Sequence, residues 1–567
     1  QPMSEVQLTI NGKPVVAESG QTILEAAKSA GIDIPVLCHH PALSNWGACR
    51  MCLVEVEGMR GLQTACTCPV SEGMEVKTET EEAVNVRKFV LELLFSERNH
   101  YCMYCQMSGD CELQDAAYRY GLDHWTYPRP YEKLEVDASR RYFIMDHNRC
   151  ILCTRCVRAC DEIAANHTLS LKNRGAESMI IADLDVPFGE SSCIECGTCL
   201  QVCPTGALID ARSAYGGREE DVTHVTTTCM QCSVGCTLDV VTRYERLLRV
   251  DGIFDSDPND GLLCVKGRFE PIYDEERKRI RTPLVRKDEE LQASSWEAAL
   301  GEIANKMNGE NLGLAASATS NEALAAFAEL FEKSGGKAGR LEATLPDLGY
   351  GETASIQDVL ESDYIVVAGV DPLETHKVVG YFIKRAADQG SEVALVGGDS
   401  DLKAYAELNV AFDEADTVVE AAQAAKNPVV VYGVGLTEEG IAGLKPLADK
   451  ASFLGLELGR NGLGALSAGL SPLGLEDASM VYFLIGEQPV DDALVEELNG
   501  AFTVVQASYY SPLVEKADVV LPTPIWVERT GHVTNLEGKV LPLQPALDMP
   551  KDVRDEADVL AQLAELL

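Results

Sequence analysis

The cysteines of this chain are grouped at spacings that suit metal ligands. All 20 lie between Cys38 and Cys264 of the 567 residues, and none follows Cys264. The densest group combines one imidazole with three thiols, at His100, Cys102, Cys105 and Cys111. Thiolates and neutral imidazoles both bind iron, so four such groups can hold an iron-sulfur cluster. Disulfides are a weaker explanation, because a chain of this length does not need covalent staples.

The composition excludes several classes of function. No apolar run approaches the roughly 20 residues of a membrane-spanning helix, and the N-terminus lacks the basic and apolar pattern of a signal peptide. We therefore expect a cytoplasmic protein without a membrane span. A net charge of −41 repels nucleic acid and anionic lipid, so no nucleic-acid partner is expected. Large partners are expected to be other proteins.

The first segment carries the signals of a small sheet and a helix. Alternating apolar and polar residues around Asn11-Gly12 predict a β-hairpin, and the stretch from Gln21 or Thr22 to Gly31 predicts an amphipathic helix. Four thiols follow on a long loop, at Cys38, Cys49, Cys52 and Cys66. This order resembles the β-grasp ferredoxin fold, in which four thiolates hold a [2Fe-2S] cluster.

Three other residues near this loop are alternative ligands. Cys68 could replace Cys66 as the fourth ligand, but the spacing favours Cys66, and we interpret Cys68 as a spare thiol. We interpret His39 and His40 as loop residues.

The segment around residue 100 follows a predicted helix, EEAVNVRKFVLELLFSERNH. With the trailing CELQD, it resembles the histidine-ligated [4Fe-4S] segment of the large iron-sulfur subunit of respiratory complex I and of related hydrogenases. That family usually places its histidine four residues before the first cysteine, where this chain has Arg98. Arginine stays protonated and offers no lone pair, so we predict His100 as the ligand. The alternative is that His100 is a surface residue and another group completes the site.

Two runs share the spacing C-x2-C-x2-C-x3-C, CILCTRCVRAC and CIECGTCLQVCP. This spacing is typical of two-cluster bacterial ferredoxins, in which the fourth cysteine of each run binds the other cluster. The inferred ligand sets are Cys150, Cys153, Cys156 and Cys203 for one [4Fe-4S] cluster, and Cys193, Cys196, Cys199 and Cys160 for the second. Zinc is the alternative, but it does not explain the doubling or the Cys-Pro ending.

A fifth set of thiols is spaced C-x2-C-x3-C-x27-C, at Cys229, Cys232, Cys236 and Cys264. It resembles the [4Fe-4S] domain that opens molybdopterin oxidoreductases. In catalytic members of that family the lysine after the last cysteine, here Lys266, lies between the cluster and the pterin cofactor. The resemblance therefore implies a cofactor-binding role for Lys266.

The remaining residues resemble the same family in looser segments, among them SATSNEAL and DYIVVAGVDPLETH. Apolar strands alternating with helices predict a doubly wound α/β region with a mostly parallel sheet, and four of these strands are 364–368, 393–396, 429–432 and 482–485. The partial dinucleotide motif in YGVGLTEEG lacks its third glycine, and a plain strand-to-helix turn explains it better. Without a later cysteine, and with fewer residues than the usual cofactor-binding body, this region is expected to bind no molybdenum cofactor.

The predicted fold class is α+β in the N-terminal β-grasp and bacterial-type ferredoxin modules, followed by an α/β molybdopterin-oxidoreductase-like region. We predict five domains: 3–80 (β-grasp [2Fe-2S]), 81–140 (His/Cys [4Fe-4S]), 141–220 (two-cluster ferredoxin), 221–275 (molybdopterin-oxidoreductase-type [4Fe-4S]) and 276–567 (shortened α/β region without cofactor).

As a whole the chain resembles the large iron-sulfur subunit of soluble NAD(P)-linked hydrogenases and formate dehydrogenases, which is related to the complex I 75 kDa subunit. The resemblance implies one [2Fe-2S] and four [4Fe-4S] clusters and no catalysis by the chain alone. It also implies as partners a flavin- and NAD(P)-binding subunit, a small [2Fe-2S] subunit, hydrogenase catalytic subunits and, if electrons are bifurcated, ferredoxin. The alternatives are a molybdenum or tungsten formate dehydrogenase and an electron store that acts without a stable complex.

Overall fold

The computed structural model describes residues 4–128, 133–273, 277–307, 310–490, 492–498 and 500–567. Its contacts divide the chain into two units, Gln1–Val222 and Thr223–Leu567, and each unit is described by itself. Residues 3 and 276, where we place the start of the first and last predicted domains, lie outside the described residues. The division into five domains stays a prediction.

In the described part of the first unit, short strands and short helices alternate. The strands are β1 (Glu5–Ile10), β2 (Lys13–Glu18), β3 (Leu53–Val56), β4 (Gln63–Thr64), β5 (Glu75–Lys77), β6 (Val136–Asp137), β7 (Phe143–Asp146), β8 (Leu169–Lys172), β9 (Met179–Ala182) and β10 (Leu208–Asp210). The helices are α1 (Ile23–Ser29), α2 (Glu81–Glu97), α3 (Glu112–Arg119), α4 (Arg155–Arg158) and α5 (Thr198–Gln201).

The first strands form the predicted hairpin and sheet. Strands β1 and β2 pair antiparallel around Asn11 and Gly12, which both have positive φ, as a type I′ turn requires. The sheet order is β2-β1-β5-β3-β4. Thr22 caps α1 and forms a capping box with Glu25, so the predicted helix is confirmed with its start at the second of the two proposed residues.

The other sheets of the first unit are small. Strands β10, β7 and β6 form one of them, and β8 pairs with β9 in a separate hairpin. Helix α4 continues directly into a π-helical turn, Ala159–Ile163. π-helical turns are rare in proteins, and those that occur are often at functional sites. This one carries Cys160.

In its described residues the second unit contains larger sheets. The strands are β11 (Thr223–Thr228), β12 (Thr237–Arg243), β13 (Arg246–Gly252), β14 (Leu284–Lys287), β15 (Glu290–Ala293), β16 (Asn311–Ala315), β17 (Lys337–Arg340), β18 (Glu352–Thr353), β19 (Tyr364–Ala368), β20 (Glu392–Val396), β21 (Leu408–Val410), β22 (Pro428–Tyr432), β23 (Ser452–Gly455), β24 (Met480–Gly486), β25 (Phe502–Ala507), β26 (Val519–Pro522), β27 (Gly531–Thr534) and β28 (Val540–Leu543).

Helices separate most of these strands. They are α6 (Val265–Arg268), α7 (Glu270–Tyr273), α8 (Trp296–Lys306), α9 (Asn321–Ser334), α10 (Ile356–Glu361), α11 (Pro372–Thr375), α12 (Lys377–Asp388), α13 (Asp416–Ala424), α14 (Glu438–Leu444), α15 (Gly462–Ser467), α16 (Asp492–Glu496), α17 (Pro512–Lys516) and α18 (Glu556–Leu566).

The four predicted strands are confirmed, but they lie in two sheets. Strands β19, β20 and β22 belong to a parallel sheet of order β18-β23-β22-β19-β20-β21, whereas β24 belongs to the sheet β15-β14-β26-β25-β24-β16-β17. The expectation of one mostly parallel sheet is therefore corrected. The chain forms β14 to β17 in the seven-stranded sheet, then β18 to β23 in the six-stranded sheet, and then returns to the seven-stranded sheet at β24. Local sequence patterns do not encode this order.

No helix in the part of the chain that the structure describes is long and apolar enough to span a membrane.

Candidate iron-sulfur centres

The predicted ligands form five groups, which we name sites A to E, and the structure brings the cysteines of each group together. They are site A (Cys38, Cys49, Cys52, Cys66), site B (His100, Cys102, Cys105, Cys111), site C (Cys150, Cys153, Cys156, Cys203), site D (Cys193, Cys196, Cys199, Cys160) and site E (Cys229, Cys232, Cys236, Cys264). All 20 cysteines are free thiols. Ligation itself stays a prediction, and the geometry of each site shows how well the residues fit a cluster.

Site A lies against the core of the β-grasp sheet. The Sγ atoms of Cys52 and Cys66 are 3.3 Å apart, and the backbone N–H of Cys49 donates to the Cys38 Sγ at 3.4 Å. Hydrogen bonding to the Cys49 thiol lowers the pKa of Cys38 to about 5, and the Cys66 thiol likewise lowers the pKa of Cys52 to about 7. The same hydrogen bonds raise the pKa of Cys49 and of Cys66. Thiols packed this closely suit a cluster, because bound iron replaces the protons that they would otherwise share.

Cys68 stands apart from this group. Its Sγ donates to the Pro69 carbonyl at 3.8 Å, and burial raises its pKa. By contrast, Cys66 interacts electrostatically with all three other thiols of site A. These contacts support Cys66 as the fourth ligand.

The two histidines beside site A make contacts typical of loop residues. The Nδ1 atom of His39 is 2.8 Å from the side-chain oxygen of Asn45, and Nδ1 of His40 accepts from the backbone N–H of Ala42 at 3.3 Å. Burial lowers the pKa of His40 to about 4, so this ring is neutral at physiological pH.

Helix α2 ends shortly before site B, and Arg98 follows it directly. The contacts of Arg98 explain why the predicted histidine ligand is His100 and not residue 98. Arg98 is 7% exposed, and its guanidinium donates to the carbonyls of His147 (2.9 Å) and Ser178 (2.8 Å). The position at which the resembling family has histidine is therefore occupied by a structural arginine. His100 follows, with its ring against Phe95 at a centroid distance of 5.4 Å.

The thiols of site B lie on one short turn and at one helix start. Cys102 begins a 3-10 turn, and Cys111 is the N-cap residue of α3. Burial raises the pKa of Cys111 to about 12, and the charges of Cys105 and Cys102 add to this effect. A cluster would offset that cost, since bound iron replaces the proton.

The thiols of sites C and D support the exchange of fourth cysteines inferred from the sequence. Burial raises the pKa of Cys150, Cys153 and Cys156, and in each case the charge of Cys203 raises it further. In site D the charges of Cys160 and of the second run, Cys193, Cys196 and Cys199, act on one another in the same way. That each run supplies three thiols to its own site and one to the other stays a prediction.

The two runs fold alike because the same positions adopt left-handed backbone. Leu152 and Thr154 have φ values of 54° and 60°, and their counterparts Glu195 and Gly197 have 56° and 72°. These turns aim backbone N–H groups at sulfur: Leu152 donates to Cys150 Sγ and Glu195 to Cys193 Sγ, both at 3.4 Å. Such hydrogen bonds tune the reduction potential of a cluster.

Two buried arginines connect site C to its neighbours. Arg158 donates to the carbonyls of Cys38 in site A and Cys153 in site C, the latter at 3.4 Å. Arg155 binds both carboxylate oxygens of Glu112, which follows the last cysteine of site B. The backbone N–H of Glu112 also donates to the Pro204 carbonyl at 3.0 Å, directly after Cys203.

Site E lies in the second unit and forms the wall of a cavity. All four thiols line this pocket, together with Lys266 and Lys377. Burial raises the pKa of Cys232 and Cys264, and the charge of Lys266 opposes this effect. The structure thus places Lys266 beside the thiols, as its predicted role requires.

The sequence patterns did not single out Arg155, Arg158, Lys377 or Arg460. The first two stand inside the CILCTRCVRAC run, where two cations between ligands were a visible signal. The other two lie far from any cysteine in the chain, and their place beside site E depends on tertiary structure.

In the described residues, no group of three or more His, Cys, Asp or Glu side chains is arranged so that it could hold a metal ion. A cubane differs from such a site, because its four thiolates each bind a separate iron atom.

Models of known families match nearly the whole chain. The 2Fe-2S iron-sulfur cluster binding domain matches residues 3–81, the NADH-ubiquinone oxidoreductase-G iron-sulfur binding region 87–125, and the ferredoxin-like domain of NADH-quinone oxidoreductase subunit 3 142–209. The molybdopterin oxidoreductase Fe4S4 domain matches 222–271, and the molybdopterin oxidoreductase model matches 279–566. These matches and the five thiol groups define an iron-sulfur protein with an α/β region.

This chain belongs to the molybdopterin oxidoreductase family, and its set of domains is that of a complex I 75 kDa-like subunit. It is 29% identical to NADH-quinone oxidoreductase subunit 3 of Thermus thermophilus, over 99% of this chain and 83% of the relative. It is 28% identical to the mitochondrial NADH-ubiquinone oxidoreductase 78 kDa subunit of Candida albicans, over 100% and 83%.

Two further relatives match only part of the chain. The NADPH-Fe(3+) oxidoreductase subunit alpha of Geobacter sulfurreducens is 35% identical over 53% of this chain and 35% of the relative. A chain of an NAD+-reducing [NiFe]-hydrogenase structure is 35% identical, with a TM-score of 0.36, over 38% of this chain and 91% of that one.

Proposed function

We propose that this chain is the large iron-sulfur subunit of a cytoplasmic NAD(P)H-linked hydrogenase of the [NiFe] type. It passes electrons between a flavin subunit, which reacts with NAD(P)H, and the catalytic module. One [2Fe-2S] cluster at site A and four [4Fe-4S] clusters at sites B to E carry them. The proposed partners are that flavin subunit, a small [2Fe-2S] subunit, the hydrogenase catalytic subunits and, for a bifurcating complex, ferredoxin.

The observation that carries this proposal is the continuity of sites A, C and B in the first unit. The guanidinium of Arg158 contacts backbone of sites A and C, and the ion pair of Arg155 with Glu112 joins the elements of sites C and B. Direct contact between the loops favours electron exchange between the clusters that they would hold. Site C is therefore the junction of the proposed path.

Site D supports the hydrogenase version of the proposal. A complete double ferredoxin run is typical of hydrogenase and formate dehydrogenase relatives, whereas the complex I subunit usually lacks it. In this chain the second run retains all four cysteines, and its thiols are grouped as in site C. A fourth cluster in the first unit gives electrons a second route beyond site C.

Close packing of the described residues at two crevices supports the proposal that this region holds no molybdopterin cofactor. In parallel α/β sheets, ligands bind where the strand order reverses, here between β24 and β16 and between β22 and β19. The first crevice contains the buried Arg529, which donates to the Ala318 carbonyl at 2.6 Å and would contact a Cβ at Gly486 at 2.8 Å. In the second, a Cβ on Gly435 would lie 2.6 Å from the carbonyl oxygen of Gly369.

The close packing at the second crevice also explains the YGVGLTEEG segment. Its glycines let the turn after β22 approach the turn after β19, which supports our interpretation of a strand-to-helix turn.

A molybdenum or tungsten formate dehydrogenase subunit is the second candidate function. The match of residues 279–566 to the molybdopterin oxidoreductase model favours it. Bound pterin or stoichiometric molybdenum would establish it in place of the hydrogenase proposal.

The deciding experiment is elemental analysis of anaerobically purified protein for iron, molybdenum, tungsten and zinc. Five clusters of the proposed types require about 18 iron atoms per chain, without molybdenum or tungsten. The variant His100→Ala is expected to retain about 14, because the site B cluster is lost. A His100→Ala protein with undiminished iron would show that another group completes site B.

A second experiment tests whether catalysis belongs to other subunits and not to this chain. The isolated chain is expected neither to oxidise hydrogen nor to reduce NAD(P), and to co-purify with flavin-bearing subunits from its native source. Robust hydrogen oxidation by the chain alone would overturn the proposal.

A further inference from the structure

The cavity of site E is unusual in the charge of its lining. Besides the four thiols it exposes two ammonium side chains, Lys266 and Lys377, which come from α6 and from the start of α12. The two lysines are 111 residues apart in the sequence. The fold therefore brings a second cation to the cluster pocket, in addition to the lysine that the sequence pattern predicts.

A third cation faces the same site. Burial raises the pKa of Cys229 and Cys232, and the charge of Arg460 opposes this effect on both thiols. The Arg460 side chain is 17% exposed and its Nη1 is 3.9 Å from the carboxylate of Glu487, a loose ion pair. Lys377 donates to the neutral carbonyl of Leu373 at 2.8 Å, so that contact leaves its charge uncompensated.

Two of the cations near sites C and D are ion-paired. Arg155 beside site C forms a bidentate ion pair with Glu112 at 2.5 and 2.7 Å. Arg140 beside site D donates to Glu195 at 3.0 Å. Since a paired carboxylate cancels much of the field of its partner, the charge of Lys377 is less compensated than the charges of these two arginines.

We propose that Lys377 raises the reduction potential of a [4Fe-4S] cluster bound at site E. Reduction adds one electron and makes the cluster more anionic, and a nearby cation stabilises that charge. The electron comes from reduced nicotinamide through the flavin subunit. Lys377 thereby favours the retention of an electron at site E.

This inference rests on the proposed function, because it requires a cluster at site E. The first test is a redox titration of the full-length protein followed by electron paramagnetic resonance. Signals are assigned by difference from the variants Cys264→Ala, Cys153→Ala and Cys196→Ala, which remove the clusters of sites E, C and D. We expect each variant to lack one signal, and the signal that Cys264→Ala lacks gives the midpoint of site E in the parent protein.

The second test separates charge from structure. Lys377→Met is expected to move the site E midpoint to a more negative potential, whereas Lys377→Arg keeps the charge and the midpoint. Lys403→Met is the matched control, because Lys403 is exposed and pairs with Asp399 away from any thiol. The midpoints of sites C and D are expected to be the same in all three variants.

The outcomes are distinguishable. Absence of any signal or iron that depends on Cys264 overturns the proposed cluster and hence the proposed function at this site. A cluster that is present but has the same midpoint in Lys377→Met as in the parent protein overturns the inference alone. Equal shifts in Lys377→Met and Lys377→Arg would also overturn it, since a structural role would explain them.

Discussion

Arg158 makes contacts that no surface arginine could make. It is 6% exposed and donates to three carbonyls on two loops, those of Cys38, Ser44 and Cys153. Buried carbonyls without a donor are costly, so this single side chain holds the loops of sites A and C in register.

We expect Arg158→Met to lower the free energy of unfolding of the first unit by about 3 kcal/mol, because three buried acceptors lose a charged donor. The measurement is the denaturant midpoint followed by the visible absorbance of the site A cluster. Arg158→Lys should lose less, since it retains one charged donor. An unchanged midpoint in Arg158→Met would show that solvent replaces the guanidinium.

His376 links stability to pH in the second unit. Burial lowers its pKa to about 4, and its Nε2 is 2.9 Å from the hydroxyl of Ser233. The unfolded chain, with an ordinary histidine pKa near 6.5, binds the proton more readily than the folded chain. The stability is therefore fully present above pH 6.5 and is lost as the pH falls toward 4.

Between pH 7 and pH 5 this group should cost the folded second unit about 2 kcal/mol, and His376→Gln should remove that part of the dependence. Thermal unfolding of both proteins at the two pH values measures the difference. If the variant and the parent lose the same stability, His376 is not the group responsible.

The element that the sequence predicts best is the double ferredoxin run. Its spacing alone indicated which cysteines exchange between sites C and D, because the spacing reflects a duplicated turn. The left-handed residues Leu152, Thr154 and Glu195 could not be predicted in the same way. Of the four positions, only Gly197 has the residue type that is usually found at positive φ.

The matched positions Thr154 and Gly197 give a direct test of this duplication. Gly197→Thr should destabilise the run by about 1 kcal/mol, because a β-branched residue at positive φ is strained. Thr154→Gly relieves the equivalent strain, so its cluster should be retained. Cluster absorbance during thermal unfolding checks both. Destabilisation by Thr154→Gly as large as that by Gly197→Thr would mean that the Thr154 hydroxyl, which donates to the Cys153 carbonyl, matters more than backbone strain.

Elements of the α/β region were predictable one at a time but not in their arrangement. Strands β19, β20, β22 and β24 are apolar runs that the sequence shows, yet the pattern is the same whichever sheet the strand joins. The contacts of Arg155 with Glu112 and of Lys377 with site E likewise span 43 residues or more in the chain. Local periodicity carries no information at that separation.

At the scale of the whole molecule, the clusters are divided between two units. Sites A to D belong to residues 1–222 and site E to residues 223–567. Because no ligand is shared between the units, the loss of site E should leave the other sites intact.

The variant Cys264→Ala is therefore expected to retain about 14 of about 18 iron atoms. The absorbance and resonance signals of the [2Fe-2S] cluster should be unchanged. Iron analysis of the purified variant provides the measurement, with the parent protein as reference. Loss of most of the iron would show that the second unit is needed for the first to assemble.

The predicted exchange of Cys160 and Cys203 between sites C and D has a consequence for biosynthesis. During translation site D gains its last ligand when residue 199 leaves the ribosome, and site C gains its last ligand when residue 203 does, because each site needs a thiol from the other run. Neither cluster can therefore be completed while only the first run has emerged. A nascent chain halted before the second run would offer the iron-delivery machinery two incomplete sites.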